Sequence, residues 1–187
     1  MHKDRKSYDY RIRKGIREIT WEEFHRMCRE LARKVHRENF DIIIGIARAG
    51  LLPAVLIAII LCKEFFPIRI TRREKDQVKW KKPVWKVDVP TKVTNANILV
   101  VDEIADTGET LSLVSERLKK RGAGSVKTAV LITHSWARPK PDYFNFESDE
   151  LIIFPWDTKI LVNGKWVLHP EIKKAIKLQD KGRGRGK

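Results

Sequence analysis

Sulfur is scarce in this chain of 187 residues, which holds two cysteines, Cys28 and Cys62, and two methionines. The cysteines lie far apart in apolar segments, and neither has metal-ligand spacing. No disulfide framework or zinc site can be built from them, and a reducing cytoplasm is expected. Long apolar runs are lacking too. The longest, Ala49 to Cys62, falls short of the ~20 residues of a membrane span and suits a buried helix, so no membrane partner is expected. Met1 to Arg17 is charged and has no signal-peptide core. Repeats, helix-turn-helix patterns and zinc-finger patterns are absent. Negative charge is outnumbered, 24 Asp and Glu against 39 Lys and Arg, for a net +15. Residues 1–17, 63–95 and 177–187 carry the whole excess, so the remainder is close to neutral. Such stretches point to anionic partners: polyphosphate substrates, nucleic acid, or both, with nucleic acid possible but not required. The two terminal stretches read as solvated tails.

What is present is a globular pattern, 42% hydrophobic with 34% charged. Thr20 with Glu23 forms a capping box that opens an amphipathic helix over about 21–36, burying Phe24, Met27, Cys28, Leu31, Ala32 and Val35. Ile42-Ile43-Ile44-Gly45-Ile46 is apolar without alternation, the pattern of a strand buried on both faces of a parallel sheet. The loop 47–50 and the apolar helix follow, with Pro53 in that helix's first turn. Further strands are expected over 67–71, 97–102, 126–133 and 151–154, and a helix over 110–121 stopped by Gly122. In the basic stretch 72–97, alternation over 84–89 suggests a strand, and Lys81-Lys82-Pro83 can turn a hairpin. Asn163-Gly164 between apolar triplets is a strong hairpin signal. A short helix over 170–178 precedes a tail, 179–187, expected to be disordered.

This alternation gives an α/β fold, an open, mostly parallel sheet flanked by helices, with a small hood. The expected organisation is a basic N-terminal segment, 1–17, and a single domain, 18–178, then the tail. Within the domain lie the hood, about 72–97, and a C-terminal hairpin, about 155–170. Ligands of such sheets bind at the carboxyl ends of the strands. Loops 47–50, 102–110, 133–140 and 154–159 therefore matter most.

The chemistry concentrates in Ile98-Leu99-Val100-Val101-Asp102-Glu103-Ile104-Ala105-Asp106-Thr107-Gly108-Glu109-Thr110. A buried strand ends in two adjacent acids, and a third acid introduces Thr-Gly-Glu-Thr at a helix start. Backbone N–H groups there, with the Thr107 and Thr110 hydroxyls, can cradle a phosphate. Gly108 permits close backbone approach. Two acids at a strand end can accept hydrogen bonds from a vicinal diol, as in ribose.

This stretch resembles the phosphoribosyl pyrophosphate (PRPP) signature of the type I phosphoribosyltransferases, which have a Rossmann-like sheet with a hood. The resemblance implies that Asp102 and Glu103 hold the ribose hydroxyls and that Asp106, Thr107, Gly108, Glu109 and Thr110 bind the 5′-phosphate. Asp106 would also serve as the catalytic proton acceptor near N7 of the base. It implies a pyrophosphate loop at Ala47, Arg48, Ala49 and Gly50, with Arg48 as ligand. Mg²⁺ would be the cofactor, held through PRPP and Asp102/Glu103. One of Arg72, Arg73, Lys75, Lys79, Lys81 and Lys82 would close over the pyrophosphate.

From about Thr20 to Asp157 the chain is most similar to the xanthine-guanine (6-oxopurine) branch, with PRPP and a purine base as substrates and a homodimer or larger assembly. The resemblance places base contacts at His134, Leu151 and Ile152, and a metal or purine contact at Asp157. Two positions depart from that branch: His134 stands where it has a lysine, and Leu151 where it has a ring that stacks on the purine. Phe154, Trp136 and Trp156 are candidates for the missing ring. Adenine or a pyrimidine as acceptor, and a PRPP-sensing regulator that binds nucleic acid, are the alternatives.

Overall fold

The computed structural model describes residue 10 and residues 13–74 and 77–183, the side chains of 77, 78 and 180–183 apart. In chain order the elements are β1 (Ile16–Glu18), α1 (Trp21–Val35), β2 (Ile42–Ile46), α2 (Leu51–Leu61), β3 (Glu64–Thr71), β4 (Arg73–Glu74), β5 (Gln77–Val78), β6 (Val84–Val87), β7 (Asn97–Ala105), α3 (Glu109–Lys120), β8 (Ser125–Thr133), β9 (Tyr143–Glu147), β10 (Leu151–Ile153), β11 (Lys159–Val162), β12 (Lys165–Leu168) and α4 (Pro170–Arg183). They pack as two compact units, Met27–Glu147 and the pair Met1–Arg26 with Ser148–Lys187.

The larger unit is built on a six-stranded sheet in the order β6-β3-β2-β7-β8-β9. All neighbours run parallel except β3 and β6. The middle strands are covered on both faces, which is why they show no polar alternation: all of β2, Ile98 to Val101 of β7 and Thr128 to Thr133 of β8 are buried. Burying each such Ile, Leu or Val contributes roughly 1.5–3 kcal/mol. Gly45 lets α2 close onto β2, since a Cβ there would stand 2.8 Å from the Ala54 Cβ. α2 buries Pro53, Ala54, Ile57 and Ala58. It is not buried all round, as its apolar composition suggested, because the sheet covers one side only and leaves Leu52, Val55, Ile59 and Ile60 exposed.

Two further expectations are corrected here. The hairpin placed at Lys81-Lys82-Pro83 lies earlier, between β4 and β5, whose two-residue strands are too short to carry a period. β7 runs past Asp102 to Ala105, so both acids sit inside the strand. β9 and β1 were not foreseen, being only five and three residues long.

In the smaller unit β1 pairs parallel with β10, and β11 with β12 forms the expected hairpin, Asn163 and Gly164 both at positive φ. Leu151, Ile153, Ile172 and Ala175 make its core. α4 continues beyond Leu178, so 179–183 are helical rather than a disordered tail. The inward face of Ile172, Ala175 and Ile176 extends to Gln179, which donates to the Gly15 carbonyl at 3.0 Å. Residues 184–187 lie outside the described residues, as do 1–9, 11 and 12. No helix among the described residues is long and apolar enough to cross a membrane.

Candidate functional site

The pyrophosphate-loop candidate, Ala47 to Gly50, joins β2 to α2 and is fastened at both ends. Ala47 N–H donates to the Ile68 carbonyl at 2.8 Å, and the N–H groups of Leu51 and Leu52 donate to the carbonyls of Arg48 and Ala49. The Ala47–Arg48 peptide is cis. Arg48 is exposed, its small neighbours are half-buried and Gly50 is buried. A Cβ on Gly50 would overlap the Asp102 carboxylate and stand 2.9 Å from its Cα. That glycine is therefore what lets the loop lie against β7, and it brings Ala47 to Gly50 and Asp102 together.

Asp102 and its neighbour Glu103 are close in charge as well as in sequence. Asp102 Oδ1 accepts from the Glu103 N–H at 3.0 Å. Burial, and after it the Glu103 carboxylate, push the Asp102 carboxyl well above the ordinary range. Such a pair is costly when empty and is relieved by hydroxyl donors or a cation.

β7 ends at Ala105, and the turn through Asp106, Thr107 and Gly108 leads into α3. Gly108 holds φ +84°, and a Cβ there would sit 2.8 Å from the Arg138 carbonyl carbon. The Arg138 N–H donates to the Thr107 carbonyl at 2.9 Å, and the His134 N–H to the Ala105 carbonyl at 3.1 Å. The turn is thus braced from one side by 134–139. Asp106, Thr107, Glu109 and Thr110 stay half-buried, and only Gly108 is buried among them. The Thr107 hydroxyl accepts from the Glu109 N–H at 3.4 Å. The first turn of α3 has its N–H groups at this loop, the geometry that favours an anion.

His134, at the end of β8, is buried, and the Trp136 ring stacks on it with centroids 4.7 Å apart and planes 16° from parallel. The Trp136 indole N–H donates to Asp106 Oδ1 at 3.4 Å. Of the three rings considered for the purine, Trp136 thus contacts Asp106. Phe154 and Trp156 stack on each other at 4.7 Å, and Trp156 also meets Trp21 and the Phe24 ring. Leu151 is buried in the core of the smaller unit, Ile152 is half-buried beside it, and Asp157 ends a short 3₁₀ turn, Pro155–Asp157.

Of the basic residues named for closure, Arg72, just past β3, pairs with Glu109 of the phosphate loop. Lys79 pairs with Glu74, and Lys79 and Lys86 lie over the Trp80 ring. Lys81 and Lys82 are exposed, and Lys75 lies outside the described residues. The contact between Arg72 and Glu109 had no local signal, since 37 residues separate the two.

Among the described residues no three His, Cys, Asp or Glu side chains converge on a metal position. Two adjacent carboxylates with substrate oxygens match Mg²⁺, which keeps waters and takes one or two carboxylates plus phosphates. The donor set fits that ion.

Residues 20–163 match the family model described as the phosphoribosyl transferase domain. The xanthine-guanine phosphoribosyltransferase of Idiomarina loihiensis is 30% identical over 148 residues, covering 74% of this chain and 85% of that protein. Its namesake in Nitratidesulfovibrio vulgaris is 31% identical over 147 residues, covering 76% and 85%. Among solved structures, a purine phosphoribosyltransferase from Pyrococcus horikoshii is similar at TM-score 0.70 and 33% identity, covering 79% of this chain and 98% of that one. A xanthine-guanine-hypoxanthine phosphoribosyltransferase from Helicobacter pylori, at TM-score 0.65 and 22% identity, shares the fold.

Proposed function

Since this chain belongs to the phosphoribosyltransferase family, whose members are glycosyl-transferring enzymes, we propose that it moves the 5-phosphoribosyl group of PRPP to a 6-oxopurine base. The products are the nucleoside monophosphate and pyrophosphate, as in purine salvage. The observation that carries this reading is the juxtaposition of Gly50 with Asp102, which puts the Arg48 loop beside the first of two adjacent acids on the strand that leads into the phosphate-type turn. The names of the relatives support purine as the acceptor class.

In this reading the amides and hydroxyls of Thr107 to Thr110 bind the 5′-phosphate, Asp102 and Glu103 take the ribose hydroxyls, and Arg48 takes the pyrophosphate. Purine N9 attacks C1 as the C1–oxygen bond to pyrophosphate breaks, and the bond electrons leave with the pyrophosphate. Arg48 and the small-residue loop stabilise that growing charge. The proton on N7 passes to Asp106, general base catalysis worth about 10²–10⁴-fold. Mg²⁺, when bound through PRPP and Asp102/Glu103, supplies further charge neutralisation on the leaving group. His134 donates to the purine 6-oxo group. The roles expected of Leu151, Ile152 and Asp157, and the homo-oligomer, rest on the resemblance and stay part of the proposal, as does a cytoplasmic setting.

The test is turnover of hypoxanthine, guanine, xanthine, adenine, uracil and orotate with Mg-PRPP. Consumption of one or more 6-oxopurines is expected. Consumption of adenine or a pyrimidine alone, or of no base at all, would reject the reading.

A further inference from the structure

Trp136 touches the one carboxylate to which the mechanism assigns a proton, yet the mechanism gives Trp136 nothing to do. Its indole N–H donates to Asp106 Oδ1 at 3.4 Å, and its ring stacks on His134, the residue assigned to the purine oxygen. Indole and purine share a shape: each is a planar fused six-five ring with an N–H on the five-membered ring. We propose that Trp136 is a placeholder for the base, its indole holding the Asp106 carboxylate and the His134 face until a purine displaces it and takes over the Asp106 contact. This rests on the reading above, in which Asp106 accepts the purine proton.

Three observations favour exchange over permanent packing. At 3.4 Å the hydrogen bond is longer than the usual N–H···O range, so it is easily traded for a better one. Trp136 sits in a turn closed by the Ala137 N–H on the His134 carbonyl, beyond the end of β8, and is half-buried. Its ring can therefore turn about its side-chain bonds without moving the strand. A half-buried carboxylate beside a PRPP cradle also needs a donor when no base is present. An indole serves without admitting water, which would hydrolyse PRPP. The cost is competition, because a purine must displace the ring to reach Asp106.

Trp136→Phe keeps an aromatic ring and removes the N–H. With whichever 6-oxopurine the wild type consumes, the variant's KM for the base should fall about three- to tenfold, the scale of one ordinary hydrogen bond. KM for PRPP should stay where it is. On the wild-type enzyme, the indole N–H resonance of Trp136 should move on addition of inosine monophosphate and hold its place on addition of Mg-PRPP. That second readout is independent of how well the variant folds. A base KM that is unchanged or raised in Trp136→Phe, or an indole resonance indifferent to inosine monophosphate, would overturn the placeholder and leave the transferase intact. A wild type that consumes no purine would instead remove the function on which it rests.

Discussion

At the scale of single residues, Asp102 bears the strongest conflict. Its carboxyl is buried, faces a second carboxylate and lies against Gly50, so in the folded protein it keeps its proton to a higher pH than in the unfolded chain. The folded state therefore binds more protons over that window, and stability falls as pH rises from the ordinary aspartate range near ~4 towards the raised value. Asp102→Asn removes the cost. Without PRPP or metal, the variant should melt above the wild type at neutral pH, and the gap should close as pH falls towards ~4. A gap independent of pH would show that Asp102 is not under this strain. Asp106 poses the complementary test. Asp106→Asn should lower turnover by about 10²–10⁴-fold with KM for PRPP nearly unchanged, since the amide can still line the loop but cannot take a proton. Equal turnover would remove Asp106 from the base role.

At the scale of elements, the end of β3 and the start of α3 meet through Arg72 and Glu109. That pair places one cation of the basic stretch at the phosphate loop, where it can leave Glu109 for a phosphate oxygen. Arg72→Ala should raise KM for PRPP by about tenfold, the value of a charge-assisted hydrogen bond. An unchanged KM would leave Arg72 as a surface ion pair. What could be read beforehand at this scale follows from where the signal lies. β2, β7 and β8 were legible because burial on both faces writes itself as runs of Ile, Val and Leu without polar alternation, as at 42–44, 98–101 and 130–132. The Asp102 to Thr110 motif and the Asn163-Gly164 hairpin were legible because their residues are contiguous. β4, β5 and β9 were not, being too short to show a period. The end of α4 was missed because Gln179, a polar residue, continues its buried face. The Trp136 contact with Asp106 depends on a turn after β8 that no local pattern specifies, so the sequence left that ring one of three.

At the scale of the whole molecule, the charge map and the site account for each other. The described part of the basic stretch 63–95 leads into the sheet edge at β3 and β6, while β7, which carries the two acids, is buried over Ile98 to Val101 and half-buried at Asp102 and Glu103. A polyanion is drawn by the first and oriented by the second. The claim under all of this is that the Ala47 to Gly50 loop and the end of β7 grip one ligand together. Calorimetric titration with Mg-PRPP tests it most directly, on the wild type and on Arg48→Ala and Glu103→Gln. A single saturable binding event is expected, weakened at least about tenfold by either substitution although the two residues lie on different elements. Undiminished binding in both variants, or no binding by the wild type, would contradict the account.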